Sequence, residues 1–400
     1  MKIGLFCDQY YPVISGVVVS MKNLYETLES MGHECYIVTC NKLRNHEFDE
    51  EIMSKRIIFI GKIDYPFEAC KDYHFSIFDK HYVKRIGELN LDVIHVNSEF
   101  NISKIARKVH KKYNTPVVYT LHTDWTNYFS TIFPVTGKIF KNFYTFLLRN
   151  LFTKKLAAIS DKVILPTEKM YQYLDVYGID KSKTIIIPTG IDMQRFENEN
   201  INFDEVEQLK KQYNLQNKKV YMFLGRLAKE KNIPTIIKAF KEAFKYDNDN
   251  DKVLLIVGGG PILKDLKEEV SKLDIENKVI FTDMVPIEKV PTYYRLAYLL
   301  LSASTSETQG LTYAEAMASK VPVLAQKDPC LNGVIIDNKN SFLFDGFYDF
   351  VKRLKELDKL DDEKLNQIKE KAYLTSRDYT KEVFAKKVEQ VYIEVINKNK

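Results

Sequence analysis

Among the cations that follow one apolar run in the middle of the chain, two are placed in a pattern suited to binding phosphate. The run Val220–Leu224 leads into Gly225, Arg226 and Lys231. A guanidinium offers a planar fork of donors and an ammonium offers a point charge, and both suit a diphosphate. Taken alone, such a segment is more often a solvated charged loop.

A second strand end adds an anion site with an acid on each side. The run Ala297–Leu301 leads into Glu307, Gly310, Leu311 and Glu315. The amides of Gly310 and Leu311 would open a helix, where unpaired N–H groups bind anions. Because both glutamates would repel phosphate, we expect them to accept hydrogen bonds from the hydroxyls of a sugar and a ribose. Together these residues predict a nucleotide-sugar site, although each glutamate alone would more often be a solvated surface acid.

Weaker candidates follow other strands. The three glycines 258–260 would let a ligand approach closely, but such glycines more often form only a turn. Gly16 follows the first apolar run and would bring backbone toward the same phosphates. His122 ends the run Val117–Leu121, where a lone histidine is more often structural than catalytic.

Parallel sheets are expected to position these residues. Short apolar, β-branched runs alternate with amphipathic helical stretches, which is typical of parallel strands covered on both faces. The expected strands are Ile3–Phe6, Tyr36–Val38, Ile57–Ile60, Val93–Val96, Val117–Leu121, Val163–Leu165 and Ile185–Ile187, then Val220–Leu224, Val253–Val257, Val279–Phe281, Ala297–Leu301, Val321–Leu324 and Phe342–Phe344. Two such series predict an α/β protein of two doubly wound, Rossmann-like domains, in which ligands bind at the carboxyl ends of the strands.

The domain boundary is expected at the proline- and glycine-containing segment 188–192. We therefore predict one domain at 1–190, a second at 191–378, and a C-terminal helix at 379–400 that packs back on the first domain. That helix should bury one stripe, formed by Phe384, Val388, Val391 and Val395.

Composition and charge narrow the class of protein. The 400 residues are 45% hydrophobic and 28% charged, which excludes disorder and a collagen or disulfide scaffold. Five scattered cysteines fit a reducing compartment, and neither a signal peptide nor a membrane-spanning helix is expected. The segment 101–160 holds ten Lys and Arg residues against one acid. Its field would attract phosphorylated substrates, nucleic acid or an anionic lipid surface.

The motifs, in their order along nearly the whole chain, resemble those of the retaining GT-B glycosyltransferases of family 4. Glu307 and Glu315 resemble the E-x7-E signature of that family, and Arg226 with Lys231 resembles its donor-diphosphate motif. The segment 188–192 resembles its interdomain hinge.

A narrower similarity, to the bacterial 1,2-diacylglycerol 3-glucosyltransferases, lies in Ser302–Thr312, in 165–167 with 177–179, and in 328–333. Lys320 and Asp283 depart from the family pattern, which usually has glycine at both positions.

The resemblance implies a GT-B enzyme that moves glucose from UDP-glucose to 1,2-diacylglycerol with retention, forming α-glucosyl-diacylglycerol. The first domain would face the acceptor and the membrane, and the second would bind the nucleotide sugar across a cleft. The alternative is a family-4 enzyme acting on a sugar or polyprenyl-linked acceptor in glycan or cell-envelope assembly. An alternative of another class is a non-catalytic sugar-nucleotide sensor.

The resemblance also implies which residues hold the phosphates. Arg226 and Lys231 would bind the diphosphate and stabilise the leaving group. The amides of Gly310 and Leu311 would bind phosphate, and Gly16 would meet it from the first domain. We expect no obligatory cofactor or catalytic metal, with magnesium as a stimulant at most.

Four further residues are implied to recognise the rest of the donor. Glu307 would accept hydrogen bonds from hydroxyls of the sugar, and His122, counted with Glu307, Arg226 and Lys231 among the catalytic residues, would lie near the reacting sugar. Glu315 would bind the ribose, and Val285 would touch the base. Because Glu307 is assigned to hydroxyl recognition, we expect a same-face, dissociative displacement rather than a covalent intermediate.

Given the lipid acceptor that the resemblance implies, the aromatic and cationic stretch at 137–158 predicts peripheral attachment to an anionic membrane surface, on the cytoplasmic face. The alternative is a core-packed surface helix with a solvated basic rim, and no nucleic-acid partner is expected. The residues assigned to membrane binding are Lys138, Lys141, Phe143, Arg149, Lys154 and Lys155.

Overall fold

The computed structural model divides the chain into two compact units. It describes residues 1–10, 13, 15–40, 56–61, 63–64, 74–75, 79–122, 141–246 and 251–399. One unit comprises Met1–Gly190 with Lys381–Lys400, and the other comprises Ile191–Thr380. The division falls inside the segment 188–192.

A parallel seven-stranded sheet is the centre of the first unit. The strands of this unit are β1 (Lys2–Cys7), β2 (Glu34–Thr39), β3 (Ile57–Phe59), β4 (Ile63–Asp64), β5 (His74–Phe75), β6 (Val93–Val96), β7 (Val117–Thr120), β8 (Lys162–Leu165) and β9 (Thr184–Ile186). The sheet order is β3-β2-β1-β6-β7-β8-β9, and β4 and β5 form a separate antiparallel pair. In β1, Leu5 and Cys7 belong to one apolar core and Phe6 to another, so successive residues fill opposite faces.

Helices supply the apolar cover on both faces. They are α1 (Gly16–Ser30), α2 (Lys80–Gly87), α3 (Asn101–Tyr113), α4 (Lys141–Leu148), α5 (Lys154–Ile159), α6 (Leu174–Tyr177) and the C-terminal helix Lys381–Lys398. The predicted stripe of the C-terminal helix is confirmed: Phe384, Val388, Val391 and Val395 are all buried, in one core with Leu24 and Leu28 of α1. The hydroxyl of Tyr392 in this helix lies 2.7 Å from Nδ1 of the buried His95 in β6.

The second unit has a parallel six-stranded sheet. Its strands are β10 (Lys219–Leu224), β11 (Lys252–Val257), β12 (Val279–Phe281), β13 (Leu299–Ser302), β14 (Val323–Gln326) and β15 (Phe342–Phe344). Its helices are α7 (Phe203–Gln212), α8 (Ile233–Phe244), α9 (Leu263–Lys272), α10 (Val290–Tyr294), α11 (Leu311–Ala318), α12 (Gly346–Asp358) and α13 (Asp362–Ser376). The order is β12-β11-β10-β13-β14-β15, so the predicted fold class, with strands in both series, is confirmed.

Two strands of the second sheet, β13 and β14, start two residues later than their apolar runs predict, and contacts of α11 explain the later start of β14. The run begins at Val321, but β14 begins at Val323. The N–H of Val321 donates to the carbonyl oxygen of Ala316 at 2.8 Å and so closes the end of α11. Lys320, between helix and strand, has a φ of 58°. This left-handed conformation is the usual reason for glycine after a helix.

Glycine at position 320 should therefore give a more stable protein than alanine. We expect Lys320→Gly to be about 1 kcal/mol more stable than Lys320→Ala, because only alanine has a Cβ that opposes positive φ. Both variants lose the exposed ion pair with Glu370, which cancels in the comparison. Denaturant unfolding measures the difference.

The same pair of substitutions at Lys371, an exposed position inside α13, serves as the control. Helix propensity should reverse the sign there and make glycine about 1 kcal/mol worse than alanine. Equal stability of the two Lys320 variants would contradict the strain argument.

Candidate active site

Two glycine-containing loops hold each other at the carboxyl ends of β10 and β11. The N–H of Leu227 donates to the carbonyl oxygen of Gly259 at 2.8 Å. A Cβ on Gly258 would lie 2.1 Å from the carbonyl oxygen of Gly225, and one on Gly260 would lie 2.3 Å from that of Leu227. The loop with the three glycines 258–260 thus fixes the path of the loop after β10 through close backbone contact. The sequence pattern alone had favoured a simple turn for these glycines.

Each of the two predicted phosphate-binding cations pairs with a carboxylate. Arg226 forms an ion pair with Glu230, four residues later. Nζ of Lys231 lies 2.5 Å from Oε1 of Glu307, and both side chains are largely buried. The structure therefore brings Lys231 and Glu307 together, with Arg226 attached to the residue next to Lys231.

Serine hydroxyls join the two loops that carry these pairs. The loop between β13 and α11 contains Ser304 and Ser306, whose hydroxyls donate to the carbonyl oxygen of Glu230 at 3.4 and 3.3 Å. Nδ2 of Asn232 donates to the carbonyl oxygen of Ala303 at 3.5 Å. These bonds hold the residue before Lys231 against the loop that contains Glu307.

The residues predicted to bind an anion lie at the start of α11. Gly310 precedes the helix with a φ of 78°, and a Cβ there would lie 2.4 Å from the ring of Tyr313. The buried Tyr313 is itself held by its hydroxyl, 2.8 Å from that of Ser302 at the end of β13. Leu311 opens the helix, and the first amides of a helix have no partner within it.

Glu315 lies one turn into α11 and is half-buried. The hydroxyl of Tyr294 donates to its Oε2 at 3.1 Å. Burial raises the pKa of the Glu315 carboxyl, while the Tyr294 hydroxyl and the charge of Arg195 lower it. Arg195 also donates to the carbonyl oxygen of Ile287. Arg195 could not be predicted as a neighbour of Glu315 from the sequence, because no spacing connects the two residues.

The predicted base-contacting residue, Val285, is half-buried beside the exposed Met284. Asp283 just before it has a φ of 59°, and its carbonyl oxygen accepts from the N–H of Gly258 at 3.1 Å. The second departure from the family pattern is thus also a left-handed position, so the backbone keeps the conformation that glycine usually provides.

His122 and Gly16 belong to the first unit. Gly16 opens α1, after Ser15 as N-cap. Nδ2 of Asn97 donates to the carbonyl oxygen of His95 at 3.4 Å, so its Oδ1 faces Nε2 of His122, 3.0 Å away. A carbonyl only accepts, and therefore Nε2 of His122 carries the proton and Nδ1 the lone pair. Burial lowers the pKa of His122 to about 4, which leaves a neutral acceptor at physiological pH.

The predicted membrane-binding stretch forms α4, a five-residue π-helix Arg149–Thr153, and α5. Phe143 and Phe146 are 55% and 60% exposed, and Lys154 and Lys155 are exposed. Arg149 is half-buried. Lys138 and the side chain of Lys141 lie outside the described residues.

The described part of the chain has neither a membrane-spanning helix nor a cluster of metal-binding side chains. None of its helices is long and apolar enough to cross a bilayer. None of its His, Cys, Asp and Glu side chains form a group of three placed to hold a metal ion.

Comparison with known proteins identifies the family. Residues 205–375 match the family Glycosyl transferases group 1, and residues 14–195 match Glycosyltransferase Family 4. The crystal structure of Anabaena Alr3699/HepE with UDP and glucose has a TM-score of 0.75 at 16% identity, covering 98% of this chain and all of that one. Sucrose-phosphate synthase from Thermosynechococcus elongatus has a TM-score of 0.74 at 17% identity, covering 99% of both chains. The chain is a glycosyltransferase of family 4 with the GT-B fold, as the motifs predicted.

Two relatives that are similar over the full length of the chain narrow the family further. The α-monoglucosyldiacylglycerol synthase of Acholeplasma laidlawii is 33% identical over 100% of this chain and 98% of its own length. The enzyme of the same name from Streptococcus pneumoniae is 34% identical over 100% of this chain and 87% of its own. The chain therefore belongs to the family of these hexosyltransferases.

Proposed function

We propose that this protein transfers glucose from UDP-glucose to 1,2-diacylglycerol and forms α-glucosyl-diacylglycerol with retention at the anomeric carbon. The observation that carries the proposal is the contact of Lys231 with Glu307 beside the start of α11. There, a cation for phosphate adjoins an acceptor for sugar hydroxyls. The names of the two full-length relatives support the glucose and the lipid acceptor.

The leaving group is stabilised by fixed positive charge in this proposal. Charge builds on the departing phosphate in the transition state, where preorganised donors act most strongly. Arg226 and Lys231 bind the diphosphate, and the amides of Gly310 and Leu311 complete its site. Because these groups neutralise a diphosphate, we propose that no metal or other cofactor is obligatory.

Retention is proposed to proceed on one face of the sugar. A covalent intermediate needs a carboxylate nucleophile at the anomeric carbon. Glu307 is held by Lys231 and is assigned to the sugar hydroxyls, while Glu315 is assigned to the ribose. The leaving phosphate then takes the proton of the acceptor hydroxyl. His122 and Gly16 are proposed to contact the sugar and the phosphates from the first unit.

The lipid acceptor is proposed to be reached at an anionic membrane surface, on the cytoplasmic face. The exposed Phe143 and Phe146 suit the boundary between headgroups and acyl chains. Lys154 and Lys155, further along the same stretch, would each add about 1 kcal/mol on an anionic leaflet.

A transfer assay tests the function. The protein is incubated with radiolabelled UDP-glucose and dioleoylglycerol in phosphatidylglycerol vesicles, and the product is identified by mass spectrometry and anomeric NMR. We expect α-glucosyl-diacylglycerol, with UDP-galactose and GDP-mannose as poorer donors. Transfer only to a sugar or a polyprenyl phosphate would favour glycan or cell-envelope assembly. UDP-glucose binding without turnover on any of these acceptors would contradict the enzymatic role.

A further inference from the structure

Arg226 is paired with Glu230, and its guanidinium must leave that carboxylate before it can bind a diphosphate. The two side chains form an ion pair in which Arg226 is 50% exposed and Glu230 is 20% exposed. The carboxylate is thus the enclosed partner and the guanidinium the more accessible one. A long exposed side chain exchanges one anionic partner for another more readily than an enclosed one does.

The backbone holds Glu230 in place. Its carbonyl oxygen accepts from the hydroxyls of Ser304 and Ser306, and its own neighbour Lys231 pairs with Glu307. Its Oε2 is buried and has no hydrogen-bond partner among the described residues. Among the described residues, Arg226 is therefore the partner of one carboxylate oxygen and the other oxygen has none. When the guanidinium leaves, both oxygens are without a partner.

We propose that Glu230 competes with the nucleoside diphosphate for Arg226 and thereby weakens the hold of the site on its diphosphate product. This inference rests on the proposed donor site. When UDP is bound, Arg226 contacts phosphate and the carboxylate of Glu230 lies close to a like charge. When UDP leaves, the carboxylate takes the guanidinium back. The site thus gives up part of its product affinity, which favours release where product release limits turnover.

The test is the affinity for UDP of the full-length Glu230→Gln variant, measured by calorimetry. Glutamine has the same shape without the charge, and we expect UDP to bind about 10-fold more tightly, equivalent to about 1.4 kcal/mol. A variant that merely damaged the loop would bind more weakly, so the direction of the change distinguishes the two outcomes. Unchanged or weaker binding would overturn the proposal.

Two controls make the result specific. Glu242→Gln removes a charge from the Glu242–Lys245 pair at the C-terminal end of α8, and should change UDP affinity less than 2-fold. Uridine lacks the diphosphate, and its affinity should be the same in wild type and Glu230→Gln; a matching gain for uridine would overturn the competition. Failure of the wild-type protein to bind UDP would instead contradict the proposed donor.

Discussion

Replacing Lys231 with methionine is expected to lower kcat/KM for glucose transfer by about 10²–10³-fold, the usual effect of removing one preorganised donor from a developing negative charge. Methionine keeps most of the length of the side chain and loses the charge. Two functions fail together, since the leaving phosphate loses a cation and Glu307 loses the ammonium that lies 2.5 Å from its Oε1. Initial rates with varied UDP-glucose measure the effect.

Lys229→Met is the matched control, because Lys229 lies in the same short 3-10 helix and is exposed. It should retain wild-type kcat/KM within about 2-fold. Lys231→Arg should recover part of the activity, since it restores charge but not the point geometry of the ammonium. Equal losses in the two methionine variants would contradict a specific role for Lys231, and the loss would then reflect only the field of the loop.

The sheets could be predicted from the sequence because both faces of each are buried. Such strands read as continuous apolar runs, with no alternation to obscure them, and β6 and β7 are buried at every residue. The ends of the runs were less predictable. Val321 belongs to the apolar run but bonds back to Ala316, so helix closure outweighs strand propensity there.

Contacts between loops could not be predicted from sequence patterns. The role of Gly258 depends on how closely the backbone of Gly225 approaches, and spacing along one chain does not encode that distance. Arg195 influences Glu315 from a segment far away in the sequence. The left-handed Lys320 and Asp283 did leave a signal, because a family preference for glycine implies positive φ.

The pairing of cations with acids was also unpredictable. The sequence motifs predict that Arg226 and Lys231 bind phosphate and that Glu307 binds hydroxyls, as though each side chain acted alone. In the structure each cation has a carboxylate partner, which lowers the charge presented to an approaching donor. Affinity for the diphosphate is therefore a difference between two sets of contacts, and it depends on residues such as Glu230, whose carboxylate pairs with the cation.

The double variant Lys154→Gln/Lys155→Gln is expected to bind vesicles of phosphatidylglycerol and phosphatidylcholine about 30-fold more weakly than wild type. Each lysine near an anionic leaflet contributes about 1 kcal/mol at low ionic strength. Both side chains are exposed on α5, so their removal should leave the core unchanged. Co-sedimentation at several lipid concentrations gives the partition constants, and the difference should shrink as salt screens the charges.

The control places the same change of charge on the other unit. Lys352 and Lys355 are exposed on α12, and Lys352→Gln/Lys355→Gln should leave vesicle binding unchanged within about 2-fold. On vesicles of phosphatidylcholine alone, the Lys154/Lys155 variant should match wild type. Phe143→Ser/Phe146→Ser should weaken binding to both kinds of vesicle, because burial of the rings does not depend on lipid charge. Equal losses in the two lysine variants would show that net charge, rather than this stretch, attracts the protein to the surface.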